Sequence, residues 1–188
     1  MLFARRSTGR LVPPAPAGSD LRTILRAAAA APDHEQLRPF RLTVLTARAK
    51  DDFGGVLADA YDARCAAAGA EPVGAKREKE RTKLGRAPLV LVVSAVRQAS
   101  AVVPWDEQLA AAAAAAQNAC LAATALGFGS MWRTGDPSYD PIVKAALGLS
   151  ADDAIVGWLY LGSYRGGVAP TPNDPDLDGL LLPWAPRG

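Results

Sequence analysis

The segment ALGFGSMWRTG, Ala125 to Gly135, links a long alanine-rich run to a short stretch typical of a strand. The run before it, residues 107–126, would span about 30 Å as a helix. It is apolar on nearly every face, which predicts a buried helix. Gly127 stands just after it, where glycine adopts a left-handed conformation at little cost. The segment therefore predicts a helix, a glycine turn and the strand SMWRT. Three side chains with binding chemistry follow the turn: Trp132, Arg133 and Thr134.

Further strands are predicted on both sides of this segment. Residues 40–47, FRLTVLTA, alternate in polarity and are rich in β-forming residues. Residues 88–96, PLVLVVSAV, form a continuous apolar run of strand length, typical of a strand that is covered on both faces. Residues 155–163, IVGWLYLGS, have the clearest strand pattern of all.

Helices are predicted before and between these strands, over residues 21–31, 50–68 and 142–147. Ser19 or Asp20 is expected to cap the first helix, and Asp140 with Pro141 to form the cap and first turn of the last. Residues 76–86, KREKERTKLGR, are interpreted as a charged helix or an ordered surface loop, because runs of mixed charge are usually solvated. Helices interleaved with about four strands predict a layered α/β or α+β domain.

The composition indicates one domain over residues 1–188. The length allows a full hydrophobic core, and the net charge of +2 with 21% charged residues describes an ordinary surface. No basic block resembles a nucleic-acid footprint, and no apolar run suits a signal peptide or a membrane span. We therefore expect a cytoplasmic protein that binds neither nucleic acid nor membrane. The spacing of Cys65 and Cys120 suits no metal site and predicts two buried thiols.

The motifs of several enzyme classes are missing from the sequence. His34 is the only histidine, which excludes multi-histidine metal sites and leaves any serine or cysteine nucleophile a single candidate base. GxSxG and GxxxxGK[ST] do not occur, and GFGSMW lacks the third glycine of a dinucleotide fingerprint. Metal hydrolases, kinases and Rossmann enzymes are therefore disfavoured. By default, a lone histidine is a structural hydrogen-bonding residue.

Two clusters combine arginine with a hydroxyl group. The first cluster, Arg5, Arg6 and Ser7, offers donors that suit a phosphate, but composition alone favours a solvated N-terminus. The second is Trp132, Arg133 and Thr134. It either lines a flat polar ring with a phosphate tail or consists of a core tryptophan beside a surface arginine. Composition alone leaves both alternatives open for each cluster.

Taken together and in order, these pieces resemble the nitroreductase family, and most of all its small single-domain bacterial members. The pieces, within residues 4–163, are RRSTGRL, LRTILRAAAAAPDHEQLRPFRL, RAPLVLVV, VPWDEQLAAAAAAAQNACLAATALGFGSMWRTG and IVGWLYLGS. The resemblance implies an α+β three-layer sandwich, with a central mixed sheet flanked by helices. It also implies a homodimer in which the long alanine helix is the central dimer helix. The proline-rich tail, residues 166–188, would wrap the partner subunit and bury its LLLPW there.

The same resemblance implies an FMN-dependent enzyme. FMN would lie at the dimer interface, NADH or NADPH would donate hydride, and a nitroaromatic or quinone would accept it in a ping-pong reaction. Arg5, Arg6 and Ser7 would hold the phosphate and ribityl end. His34 would approach the flavin from the other subunit. The isoalloxazine would be lined by Trp132, Arg133 and Thr134, and the nicotinamide would stack near residues 122–127.

In this chemistry no side chain needs to act as a catalytic acid or base, because the flavin carries the redox step. A flavin-binding protein without turnover and a structural dimer that has lost flavin are the alternative functions. Three features depart from the usual pattern of the family. Phe40 follows Pro39 where tryptophan is common, Arg38 stands where glutamine is frequent, and only MLFA precedes RRS.

Overall fold

The computed structural model describes residues 2–9, 11–100, 102–172 and 174–184. Met1, Arg10, Ala101, Asn173 and residues 185–188, the last part of the predicted tail, lie outside the described residues. The strands are β1 Leu11–Val12, β2 Phe40–Thr46, β3 Leu89–Ala95, β4 Gly129–Arg133 and β5 Ala154–Tyr164. The helices are α1 Gly18–Ala29, α2 Ala47–Ala67, α3 Gly74–Thr82, α4 Trp105–Ala125 and α5 Pro141–Ala146. Short 3₁₀ turns stand at Leu2–Ala4, His34–Gln36, Lys83–Arg86, Asp136–Ser138 and Arg165–Gly167.

The sheet is built around β5. On one side β5 pairs with β3, and β2 pairs with the far edge of β3. On the other side, β4 and then the two-residue β1 pair with successive parts of β5. All of these strand pairs are antiparallel, whereas a mixed sheet was expected; the parallel contact in the described residues is an isolated bridge between Ser7 and Ser130.

Two hydrophobic cores lie on opposite faces of the sheet. Helices α1 and α4 cover one face, where Leu89, Leu91 and Val93 of β3 are buried. Helices α2 and α5 cover the other, where the intervening residues Val90 and Val92 are buried. This arrangement confirms the predicted three layers of helix, sheet and helix, and explains why β3 is a continuous apolar run.

The helix ends match the predictions at two of three places. Asp140 caps α5, since its carboxylate accepts from the backbone N–H groups of Ile142 at 2.9 Å and Val143 at 3.3 Å. Gly127 follows α4 with φ of +83°, the left-handed conformation expected there. The predicted cap of α1 is wrong. The helix begins at Gly18 after Ala17 and has no side-chain cap, because Ser19 and Asp20 already lie within its first turn.

Helix α4 is buried on one side and open on the other. Its inward residues pack on the sheet and on α1, whereas Ala110, Gln117 and Ala125 are exposed. Both cysteines are free; Cys120 of this helix is buried, but Cys65 of α2 is only half-buried. No helix in the described ranges combines the length and the apolar character needed to cross a membrane.

The tail does not bury its apolar residues on its own subunit. Leu180, Leu181, Leu182 and Trp184 are 75–86% exposed. Large apolar side chains in such a cluster usually mark a surface that another molecule covers.

Candidate functional site

A cleft of about 220 Å³ opens on the α2 face of the sheet, where β4 ends. Its floor is apolar and aromatic, and its rim is basic. The floor consists of Leu57, Leu84, Pro137, Trp158 and Tyr160, and the polar rim of Lys79, Glu80, Lys83, Arg86, Arg133 and Thr134. Flat ligands that carry negative charge suit such a combination of surfaces.

The rim holds four cationic side chains and one carboxylate. Lys83 Nζ lies at ion-pair distance from the carboxylate of Glu80, and both side chains are only 19% exposed. This ion pair engages the buried Oε2 of Glu80. Burial raises the pKa of Tyr160 in the floor, although the positive charges of Arg86 and Arg133 oppose the increase. The cleft is therefore electropositive.

Alternation along β4 separates the side chains of the second predicted cluster. Arg133 lies on the cleft face, with its Nε 3.2 Å from the sulfur of Met131, and Thr134 follows it into the cleft. Trp132 points to the opposite face, packs in the α1–α4 core and donates its indole N–H to Val156 O at 3.1 Å. A methyl group on Gly157 would lie 2.1 Å from that indole nitrogen. The core-tryptophan alternative thus describes the Trp132 side chain, and its predicted contact with a flavin stays a prediction.

The N-terminal cluster runs along the outer edge of β4. Ser7 bridges Ser130, and the N–H of Thr8 donates to Ser130 O at 3.1 Å. A Cβ on Gly9 would lie 4.0 Å from a guanidinium nitrogen of Arg133, so this segment reaches the second cluster. Beyond Ser130 the outer edge of β4 has no strand partner in the described part of the chain. Its backbone groups are therefore accessible to a ligand.

The two arginines of this cluster have different contacts. Arg5 Nη1 lies 3.5 Å from Ser7 Oγ, at the outer limit of a hydrogen bond. Arg6 donates to Thr171 O of the tail at 3.1 Å. Both line an open hollow of about 240 Å³ together with Leu2, Phe3 and Pro175. One 3₁₀ turn, Leu2–Ala4, stands before this cluster.

His34 lies far from these residues within one chain. Its Nδ1 is 2.8 Å from Glu107 Oε2, in the first turn of α4. Cys120, near the other end of α4, lies close to Ser130 and Arg5. Burial raises the pKa of its thiol, while contact with the Ser130 hydroxyl and the charge of Arg5 lower it. Glu107 and Cys120 are thirteen residues apart, about 20 Å along the helix. The structure therefore places Arg5 and Ser7 beside the start of β4 and Arg133 and Thr134 in the cleft at its end, and leaves His34 apart from both.

The residues of the charged wall of the cleft were not predicted as site residues from the sequence. Lys79, Glu80, Lys83 and Arg86 belong to the run interpreted as a solvated surface, yet α3 and the turn after it place them around the cleft. The signal was present in the spacing, because Lys79, Lys83 and Arg86 recur at four and then three residues and so share one side of a helix.

Comparison with known proteins agrees with this geometry. A sequence model described as "Nitroreductase family" matches residues 2–163. The chain belongs to the nitroreductase family. Its match covers both arginine-containing clusters, His34 and the whole sheet, and it ends where β5 ends and the tail begins.

The chain is similar to curated proteins and to proteins of solved structure. It is 37% identical over 176 residues to an Escherichia coli (strain K12) protein named "Putative NAD(P)H nitroreductase YdjA", covering 94% of this chain and 93% of that protein. A nitroreductase-like family protein from Bacillus cereus has the same fold, with a TM-score of 0.77 at 22% identity and coverage of 96% and 92% of the two chains. A nitroreductase with bound FMN from Bacteroides fragilis NCTC 9343 superposes with a TM-score of 0.69 at 23% identity, covering 96% and 95%. These matches confirm the predicted family and fold.

Proposed function

We propose that this nitroreductase is an FMN-dependent oxidoreductase, in which hydride passes from NADH or NADPH through the flavin to a small acceptor such as a nitroaromatic or quinone. The observation that carries the proposal is the cleft, where Arg133 and Thr134 meet a basic rim and an aromatic floor. The names of the relatives, an NAD(P)H nitroreductase and a nitroreductase with bound FMN, agree with it.

The residues present fit FMN. Trp158 and Tyr160 give a flat apolar floor for the ring, and Lys79, Arg86 and Arg133 supply N–H donors on the rim. Arginine and serine donors suit a phosphate monoester, and Arg5 and Ser7 lie at the edge of β4 next to this region. We assign the phosphate end to Arg5, Arg6 and Ser7 and the ring to Arg133 and Thr134. Bound there, FMN supplies hydride acceptance and donation.

We further propose that the site is shared between two copies of the chain. His34 and the Arg5–Ser7 cluster lie near opposite ends of α4, so a two-fold axis that pairs two α4 helices antiparallel would bring them together twice. The outer stripe of α4 carries small residues, such as Ala110 and Ala113, that allow close helix approach. The exposed leucines of the tail would find cover on the second copy.

In the proposed reaction the donor and the acceptor occupy the same flavin face in turn. This ping-pong order predicts parallel lines when initial rates are plotted reciprocally at several acceptor concentrations. Convergent lines would contradict it. The expected cytoplasmic location stays a prediction.

The assignment of the cleft is tested by FMN binding. Arg133→Ala and Lys83→Ala each remove one rim cation, and we expect FMN affinity to fall by about tenfold to hundredfold, the worth of one charge-assisted hydrogen bond. Arg48→Ala is the matched control, because Arg48 is an exposed α2 arginine whose side chain is 91% accessible and lines no part of the cleft. Titration of the flavin absorption, with thermal melting to verify folding, gives the result. Equal FMN affinity in all three variants would place the flavin elsewhere.

Turnover is tested on the same samples. Anaerobic NADPH or NADH should bleach the flavin spectrum, and a quinone should restore it. A protein that binds FMN but is bleached by neither donor would be a flavin-binding protein without turnover.

A further inference from the structure

We infer that Glu107 and His34 form a proton-donating pair, in which Glu107 holds the imidazole so that its Nε2–H serves the electron acceptor in the partner's site. The inference rests on the proposed function. His34 would be the catalytic residue, and Glu107 a positioning residue that acts through it.

The first support is the geometry of the pair. His34 Nδ1 and Glu107 Oε2 are 2.8 Å apart, and the two side chains are 56% and 52% exposed. The carboxylate engages Nδ1 and leaves Nε2 for another partner, and His34 and Glu107 both line an open groove of about 360 Å³ together with Pro32, Asp33 and Ala114. Hydrogen bonding of one ring nitrogen fixes the tautomer and the orientation of the other.

The second support is the backbone that holds the imidazole. Glu35, Gln36 and Arg38 have φ values of 59°, 53° and 49°, a left-handed conformation that non-glycine residues seldom adopt. The turn is braced by Asp33, whose carboxylate accepts from the Arg38 N–H at 2.7 Å and whose carbonyl accepts from the Gln36 N–H at 3.1 Å. Backbone strain of this kind is concentrated at functional sites.

The third support is the charge around His34. Glu107 faces it from α4 and Asp33 lines the same groove, while Glu35 and Arg38 lie on its own turn and the other α4 residues in the groove are alanines. The hydrogen bond to Glu107 raises the pKa of His34 above its ordinary value; partial desolvation opposes this, and the negative charges of Glu107 and Glu35 add to it. The imidazolium therefore persists to higher pH than that of a free histidine, which suits an acid that works near neutrality.

The chemical step requires one proton. A quinone that receives a hydride, with its two electrons, becomes a hydroquinone monoanion. The Nε2–H bond of the imidazolium then breaks, an O–H bond forms on the anion, and the products are neutral hydroquinone and neutral imidazole. Water restores the imidazolium. Acceptors that take electrons alone, such as ferricyanide, need no such donor.

The test uses His34 as the only imidazole in the chain. Its single ring resonance gives the pKa of His34 by NMR titration of the FMN-loaded protein. In parallel, stopped flow measures oxidation of the reduced protein by a benzoquinone and by ferricyanide across the same pH range. For the wild type we expect the quinone rate to fall about tenfold per pH unit above the His34 pKa, and the ferricyanide rate to change little.

Variants separate a catalytic role from a structural one. Glu107→Gln should lower the NMR pKa and move the inflection of the quinone rate by the same amount. His34→Gln should reduce the quinone rate by about a hundredfold and flatten the profile, with ferricyanide oxidation retained. Glu35→Gln, which removes a nearby charge without breaking the pair, is the matched control and should shift both quantities only slightly.

Two outcomes would overturn the inference in distinguishable ways. If NADPH or NADH reduces the bound flavin but the quinone rate ignores both variants, the pair is structural and the proposed function stands. If the protein binds no FMN or neither donor reduces it, the proposed function fails and the inference fails with it.

Discussion

At the scale of single residues, Gly54 shows how a missing methyl group positions one wall of the cleft. A Cβ at this position of α2 would lie 2.1 Å from the carbonyl oxygen of Arg81 in α3. A Cβ on the next residue, Gly55, would meet nothing within 4 Å. Helix α3 therefore approaches α2 at Gly54, and Lys79 and Glu80 reach the cleft from there.

These neighbouring glycines give a prediction with an internal control. Gly54→Ala should destabilise the protein by about 1–3 kcal/mol, because backbone atoms of α3 must move, and should also weaken FMN binding. Gly55→Ala should stabilise it by about 0.5–1 kcal/mol, since alanine is the better residue in an open helix interior. Urea denaturation of both variants measures the two effects. Equal shifts of the same sign would mean that α3 does not pack on Gly54.

At the scale of elements, α5 depends on one buried carboxylate. Asp140 is 4% exposed, caps the helix and forms an ion pair with Arg64 of α2. The same side chain thus begins α5 and attaches it to the α2 layer.

Replacing this carboxylate separates its two roles. Asp140→Ala removes the cap and leaves Arg64 unpaired, so we expect a loss of about 2–4 kcal/mol in the free energy of unfolding. Asp140→Asn keeps a capping oxygen but loses the charge, and should cost less than half as much. Chemical denaturation compares the two variants, and equal losses would show that the cap contributes little.

Strands and helices with a local pattern could be predicted to within a few residues. Strand β3 is one example, because burial on both faces leaves a continuous apolar run, and helix α4 is another, because its alanine-rich run favours a helix throughout. The two-residue β1 was missed, since it exists only through its pairing with the distant end of β5. The side of α3 that lines the cleft was also not predicted. The spacing of its charged residues groups them on one side of a helix, but it does not show whether that side borders solvent or a cleft.

At the scale of the whole molecule, the site could be predicted only in part. The residue types of both clusters indicated a phosphate and a flat ring, and strand alternation puts Trp132 and Arg133 on opposite faces of the sheet, but spacing could not show which of them faces the cleft. Strand alternation decides that once the register with β5 is known. The separation of His34 from Arg5 depends on the direction of α4, which no local pattern gives.

The tail provides a prediction about assembly. We expect the full chain to sediment as a dimer, at twice its 19.6 kDa mass. Changing Leu180, Leu181 and Leu182 to serine should raise the dissociation constant at least about hundredfold, because each buried leucine contributes about 1 kcal/mol or more. Val73→Ser, at an exposed apolar residue before α3, is the control and should leave the mass unchanged. A triple variant that remains as tightly dimeric as the wild type would exclude the tail from the interface.

The placement of His34 and Arg5 toward opposite ends of α4 has a consequence for gene duplication. In the proposed shared-site dimer, a copy that loses His34 and a copy that loses Arg5 would each lack a residue of every site when paired with itself. Paired with one another, they retain one complete site, built from the intact ends of both chains. Two such copies would then depend on each other, so an obligate heterodimer with a single active site could arise from this fold without any gain of new function.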